Sequence, residues 1–315
     1  MMLGDFMTMN SKVKYNRCVT LGYYLIGIEG PLGPVKPGHF VMLKLASTYE
    51  PLLRRPFSVY DYHKVKARKA ATGKARAGGA RAGGASVRSV VEILYKVVGK
   101  GTELMSRLVP GDSIDVLGPL GGSVFPKVKT QSDKSRLVMV AGGIGIAPFY
   151  MLASRFKGEG RGGAGASKVG SGGRRDKVVK GLRPRLLLGA RSKTDACLAS
   201  RFVNLGVDVK IATEDGSQGR RGLVTELLAS ELTDDTLLYA CGPLGMLRAV
   251  SEMAAERGVK AYVSMERTMA CGIGVCLGCA VRTHEHSGKL KSKSYEMVCS
   301  DGPVFEGSNI DWERL

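Results

Sequence analysis

Apolar and polar positions alternate over short runs in the first third of the chain. KYNRCVTLGYYLIGIE, HFVMLKLA, PFSVYDY, VVEILYKVV and DSIDVL, spread over about residues 13–116, each have the period and the β-branched or aromatic content of strands. Turn clusters such as GPLGPVKPG and PGD separate them, and no long helical pattern intervenes. That predicts a small antiparallel sandwich or barrel. From residue 136 the rhythm changes. RLVMVA, RPRLLLGA, TLLYACG and AYVSM are largely apolar strand-like runs, and VDVKIATE is a further run in the series. Helical patterns lie between them, from Pro148, over 196–205, in LVTELLASEL and in GMLRAVSEMAAERG. Buried strands alternating with amphipathic helices predict an open parallel sheet covered on both faces. The expected fold class is therefore multidomain β + α/β. A Greek-key barrel at 1–133 precedes an α/β domain at 134–264 and a small C-terminal module at 265–315.

Composition changes this picture in two places. A net charge of +19 suggests a polyanion partner until it is located. Residues 64–89 carry eight Lys/Arg and no acid, residues 157–180 carry +5 and residues 282–293 carry +3. The first two stretches are rich in Gly and Ala without apolar periodicity, so they read as solvated insertions. No aromatics are interleaved as single-strand binders require, which argues against nucleic acid. Seven cysteines, an odd number, and an N-terminal MMLGDFMTMN with no apolar stretch argue against a secreted disulfide framework. The uncharged run 137–153 contains GGIG and a Pro, so strand, loop and helix account for it better than a membrane span. A soluble cytoplasmic protein is expected.

The densest chemistry is C-terminal. Cys271, Cys276 and Cys279 form C-x4-C-x2-C in ACGIGVCLGC, and Cys299 follows after nineteen residues. This is the spacing of a plant-type [2Fe–2S] site. Structural zinc also uses four cysteines, usually as two close pairs, and stays open as the alternative. Earlier, VMVAGGIGIAPF puts Gly142, Gly143 and Gly145 between a strand and its helix, where backbone can approach a phosphate. Cys241, Gly242 and Pro243 end another parallel strand, although Cys241 would serve equally as a small buried hydrophobe. In the barrel, Arg54, Arg55, Pro56, Phe57 and Ser58 offer a guanidinium for phosphate, and Gly99, Lys100, Gly101 and Thr102 precede a short helix.

In order, RRPFSVYDY, ILYKVVGKGT, DVLGPLGG, VMVAGGIGIAPF, ATEDGSQGRRG, YACGPLGML and SMERTMACGIGVCLGCAV with VCSDGPVF resemble one family. It is the electron-transfer subunit family of dihydroorotate dehydrogenase B, the NAD-dependent two-subunit type, within the ferredoxin-reductase superfamily. The resemblance covers the chain outside the basic insertions. It implies that Arg55, Pro56, Phe57, Ser58, Leu94, Tyr95, Lys96, Gly101 and Thr102 contact FAD. It further implies that Gly142, Gly143, Gly145, Cys241, Gly242 and Pro243 border NAD, and that Cys271, Cys276, Cys279 and Cys299 hold a [2Fe–2S] cluster. The implied partner is an FMN-containing catalytic subunit, two copies of each forming a heterotetramer, in pyrimidine biosynthesis. No membrane partner is implied. The alternative is the related flavin and iron–sulfur subunit of sulfide dehydrogenase or transhydrogenase complexes, which typically has Asp where this chain has Cys271. Two departures stand out. RTHEHSGKLKSKSYEMV, with His284 and His286, lengthens the approach to Cys299, and GGSVF follows LGPL where the family has a shorter turn.

Overall fold

The computed structural model describes residues 8–45, 50–65, 88–126, 136–156, 184–284 and 294–315. Nearly all of insertion 64–89, the whole of 157–180, and His286 fall outside the described residues.

Seven strands make the N-terminal sheet. They are β1 (Thr8–Thr20), β2 (Tyr23–Gly30), β3 (Phe40–Leu45), β4 (Arg55–Ser58), β5 (Asp61–Lys64), β6 (Ser89–Lys96) and β7 (Ser113–Leu120), with helix α1 (Lys100–Ser106) between β6 and β7. The order is β4-β3-β7-β1-β2-β6-β5, and every pairing is antiparallel. β1 and β2 form a hairpin over Leu21 and Gly22, and Gly22 takes φ +76° at the turn. The run PFSVYDY, expected as one strand, is two. Val59 and Tyr60 are buried between β4 and β5, which lie at the two opposite edges of the sheet. Burying that pair turns the chain across the barrel mouth, which an apolar pattern of one run cannot reveal.

The second sheet holds β8 (Arg136–Gly142), β9 (Arg185–Ala190), β10 (Asp208–Thr213), β11 (Arg220–Arg221), β12 (Thr236–Cys241), β13 (Lys260–Ser264) and β16 (Val304–Glu306). Helices α2 (Phe149–Ala153), α3 (Lys193–Ala196), α4 (Ser200–Val203), α5 (Val224–Leu228) and α6 (Leu244–Glu256) cover it. A last pair, β14 (Ala280–Arg282) and β15 (Tyr295–Met297), forms a small antiparallel ribbon. The order β11-β10-β9-β8-β12-β13-β16 is parallel except at the β16 edge, so the sheet is mixed rather than purely parallel. β16 comes from the DGPVF segment, which closes the cluster module onto the α/β sheet. Strand order reverses between β8 and β12, the point where such sheets bind ligands beyond their carboxyl ends. At the other end, the Glu231 carboxylate is 3% exposed and pairs with Arg185, Lys210 (2.6 Å) and Arg136 (3.4 Å). These cations stand at or near the starts of β8, β9 and β10, so one buried anion gathers three strand ends.

The cores cross the module boundaries. Tyr23, Leu25, Tyr60 and Leu94 of the barrel share a core with Phe149, Phe202 and Tyr239. Phe40, Met42 and Leu120 share another with Met269, Cys279, Val298 and Cys299. Among the described residues, no helix is long and apolar enough to cross a membrane.

Candidate cofactor sites

The cysteine loop is shaped by glycines. Gly272 and Gly274 take φ +75° and +80°, and Leu277, at φ 59°, is the one non-glycine at positive φ among the described residues. This winding turns backbone N–H groups inward. Ile273 and Cys276 each donate to Cys271 Sγ at 3.4 Å, and Gly274 donates to Cys299 Sγ at 3.0 Å. Cys279 and Cys299 are 2% exposed, with their sulfurs 3.2 Å apart. Burial works against a Cys271 thiolate, yet the N–H bonds from Cys276 and Ile273 bring its thiol down to about 6. Burial and the neighbouring Cys279 push Cys299 up to about 12. Two buried sulfurs this close become anionic together only around a cation. Amide donors on Cys271 and Cys299, with Cys279 beside Cys299, fit a thiolate-held metal cluster, in which hydrogen bonds to sulfur tune the centre. His284 is exposed, and its backbone N–H is bonded to the Asn309 carbonyl.

The loop after β7 seats this module. A Cβ on Gly122 would lie 1.9 Å from the Ser300 carbonyl oxygen. Ser123 N–H donates to the Gly302 carbonyl at 2.9 Å. The GGSVF departure is thus the surface on which the chain around Cys299 rests.

Two cavities open above the sheets. The first, about 500 Å³, has Pro56, Phe57, Ser58, Leu94, Tyr95, Lys96 and Thr102 in its wall, together with Arg267, Met269 and Pro303. Arg267 Nε is buried without a partner, an unmet donor facing a site that calls for an acceptor. With an apolar and aromatic wall and a few polar groups, the cavity fits a flavin nucleotide. Arg55 and Gly101 are absent from the lining and meet each other instead, a Cβ on Gly101 lying 2.8 Å from Arg55 Nε. The Thr102 hydroxyl accepts from Val98 and Gly99 N–H at 2.9 and 3.2 Å, so it is occupied in starting α1. Glu266 also faces this cavity, and burial raises its carboxyl.

The second cavity, about 570 Å³, lies over the switch point and is lined by Gly142, Gly143, Ile144, Pro243, Arg191 and Glu214, among others. Gly143 takes φ +53°, and nothing lies within 4 Å of where its Cβ would be, which leaves room for close approach of a phosphate. Gly145, Cys241 and Gly242 do not line it. A Cβ on Gly145 would sit 2.3 Å from the Cys241 carbonyl oxygen, so this glycine joins the two loops. Cys241 is 1% exposed, and burial holds its thiol well above the usual range. The sequence left Arg191, Glu214, Glu266 and Arg267 unassigned. Glu214, in ATEDG at the end of a strand-like run, carried the signal that could have found it.

The two cavities share Lys96, Val98 and Ile144. Lys96 Nζ donates to Asp195 Oδ1 at 2.9 Å, and Tyr23 OH donates to the same oxygen at 2.5 Å.

Residues 266–311 match the family model described as the iron-sulfur cluster binding domain of dihydroorotate dehydrogenase B. Residues 139–252 match an oxidoreductase NAD-binding domain. The dihydroorotate dehydrogenase B (NAD(+)) electron transfer subunit of Bacillus mycoides (strain KBAB4) is 36% identical over 270 residues, covering 85% of this chain and 84% of the relative. The chain belongs to this family. The family's counterpart from Bacillus cereus (strain G9842) is 35% identical, covering 86% and 85%. A solved structure of an NADH-dependent reduced ferredoxin–NADP oxidoreductase matches at TM-score 0.66 and 25% identity, over 98% of this chain and 92% of that one. A ferredoxin reductase of carbazole 1,9a-dioxygenase matches at TM-score 0.55 and 17% identity, over 82% of this chain and 68% of that one, a likeness of fold. Family membership weights the cysteine quartet toward iron–sulfur and away from zinc.

Proposed function

We propose that this chain is an electron-transfer subunit that links a catalytic, FMN-containing dihydroorotate dehydrogenase subunit to NAD in pyrimidine biosynthesis. One observation carries the reading. The flavin-type cavity shares Lys96, Val98 and Ile144 with the nucleotide cavity on one side and is walled on the other by Arg267, Thr268 and Met269, just before Cys271. Bound in these sites, NAD supplies a hydride couple, the [2Fe–2S] cluster a one-electron couple, and FAD the exchange between them. Residues 1–133 hold FAD, 134–264 hold NAD and 265–315 hold the cluster.

Pro56, Phe57, Ser58, Leu94, Tyr95 and Lys96 orient the flavin, with Arg55, Gly101 and Thr102 supporting that wall. Gly142, Gly143 and Pro243 admit the dinucleotide, while Gly145, Cys241 and Gly242 fix the two loops that hold it. Cys271, Cys276, Cys279 and Cys299 hold the cluster. Val275 and Leu277, 68% and 63% exposed, flank the exposed Cys276 and present an apolar face to the catalytic subunit. Two copies of each subunit make the assembly.

The test is co-expression with a catalytic subunit and anaerobic assay of NADH formation from dihydroorotate. Cys276→Ala is expected to abolish that turnover while FAD remains bound and reducible by NADH. Wild-type turnover in Cys276→Ala would remove the cluster from the route.

A further inference from the structure

Lys96 stands on the wall common to both cavities, and its long side chain has two halves with different preferences. The methylene stem continues the apolar surface of Val98 and Ile144, while the ammonium seeks an anion or water. Here the ammonium is held within the wall of the nucleotide cavity, which Asp195 and Tyr23 also line: it donates to Asp195 at 2.9 Å and lies 4.8 Å over the Tyr23 ring. Asp195, its side chain 13% exposed, sits on α3 of the α/β domain, and Tyr23 OH fixes the same carboxylate oxygen at 2.5 Å. Ser192 starts α3 by accepting from Thr194 N–H at 3.3 Å. The anchor therefore belongs to a capped turn, joined to the β9 end that lines the nucleotide cavity.

We propose that Asp195 is a positioning residue for electron exchange between the two nucleotides: it leashes the Lys96 ammonium to the wall of the nucleotide cavity, away from the boundary that the two cavities share. Lysine carries some of the largest side-chain rotamer freedom. Released from Asp195, the ammonium is free to turn toward an anion bound in either cavity. The inference rests on the flavin and nicotinamide reading of the two cavities.

The test uses the FAD-loaded full chain. With Asp195→Asn, flavin reduction by NADH in stopped flow is expected to slow by about tenfold or more, a misplacement effect. FAD content and reduction by dithionite should stay unchanged. Independently of activity, amine acylation read by mass spectrometry should label Lys96 about threefold faster relative to exposed Lys100, as a lysine freed of its ion pair gains access. The deciding variant is Asp195→Asn with Lys96→Met, which keeps a stem and removes the charge that needs a leash. Whatever Lys96→Met costs by itself, the double variant should be slower than Lys96→Met alone by less than about twofold, because the two residues act through one ion pair. A double variant about tenfold slower than Lys96→Met alone, or an Asp195→Asn protein reduced at the wild-type rate, overturns the proposal. If Asp195→Asn sheds FAD, Tyr23→Phe carries the same comparison, because it removes one of the two bonds that fix the carboxylate. If wild type itself is not reduced by NADH, the reading of the cavities falls, while the labelling still judges the leash.

Discussion

Gly122→Ala tests how the cluster module is seated. The added Cβ would lie 1.9 Å from the Ser300 carbonyl oxygen and 3.0 Å from its carbon, both backbone atoms that no rotamer change can move aside. Ordinary contact requires more than an ångström of separation between two chain segments. Overpacking of this kind costs about 1–3 kcal/mol. The shift also strains the Ser123 N–H bond to Gly302, worth about 1 kcal/mol more. A total of about 2–4 kcal/mol falls on the segment holding Cys299, which for a chain of this size lowers the melting midpoint by about 3–6 °C. Strain there should weaken cluster retention before it unfolds the barrel. Iron per chain, visible absorption of the cluster and EPR of the reduced protein give the readout, with flavin absorbance as the internal reference. Gly33→Ala, where nothing lies within 4 Å of the new Cβ, is the control and should be neutral. Full iron content and an unchanged midpoint in Gly122→Ala would refute the seating argument.

Two further expectations follow from charge. Glu214, just past the end of β10 and lining the nucleotide cavity, is placed to accept from a ribose 2′-hydroxyl and to repel a 2′-phosphate. Glu214→Arg should shift calorimetric binding from 5′-AMP toward 2′,5′-ADP by about tenfold or more, and an unchanged ratio would exclude this role. Asp61 lies directly across the ladder from Glu92, beside His63 at 3.4 Å, and burial pushes its carboxyl up to about 6. The folded state binds that proton more tightly than the unfolded chain, so this contribution to stability falls as pH rises from about 4 to 6. A hydrogen bond to Glu92 raises His63, whose contribution likewise declines with rising pH. Against its burial, bonds from His63 and Tyr15 hold Glu92 low, which acts in the opposite sense. Asp61→Asn should raise stability near neutral pH by on the order of 1–3 kcal/mol. It should flatten the thermal-melt profile between pH 4 and 6, and an unaltered profile would show that Asp61 titrates normally.

Legibility in the sequence followed the range of the interaction. The apolar runs of β8, β9 and β12 were legible because a strand buried on both faces needs such residues whatever surrounds it. DGPVF was not legible as β16, since three residues gain strand character only by pairing with β13. The cysteine spacing was legible because the loop that winds around the sulfurs is local. Lys96 was read as an FAD contact by resemblance. Its anchor Asp195 lies 99 positions away on the other sheet's helices and leaves no local trace. The same holds for Gly145, Cys241 and Gly242, which read as a ligand border and are placed as the joint between two loops.

That division bears on how electrons would cross the molecule. The boundary between barrel and α/β sheet is sealed by aromatic contacts, Tyr60 on Tyr150 at 4.2 Å and Phe125 on Tyr239 at 4.9 Å. Aromatic pairs of this kind add to area burial, and a large apolar boundary does not slide as a polar one does. The cluster module is likewise built into a shared core through Met42, Leu120 and Cys299. Separations among the three sites are therefore set by packing. What packing cannot fix is a long charged side chain on the dividing wall, and there a specific ion pair takes over. Rigid modules and one leashed lysine are two answers to the same requirement, that neighbouring sites keep a constant and unobstructed spacing.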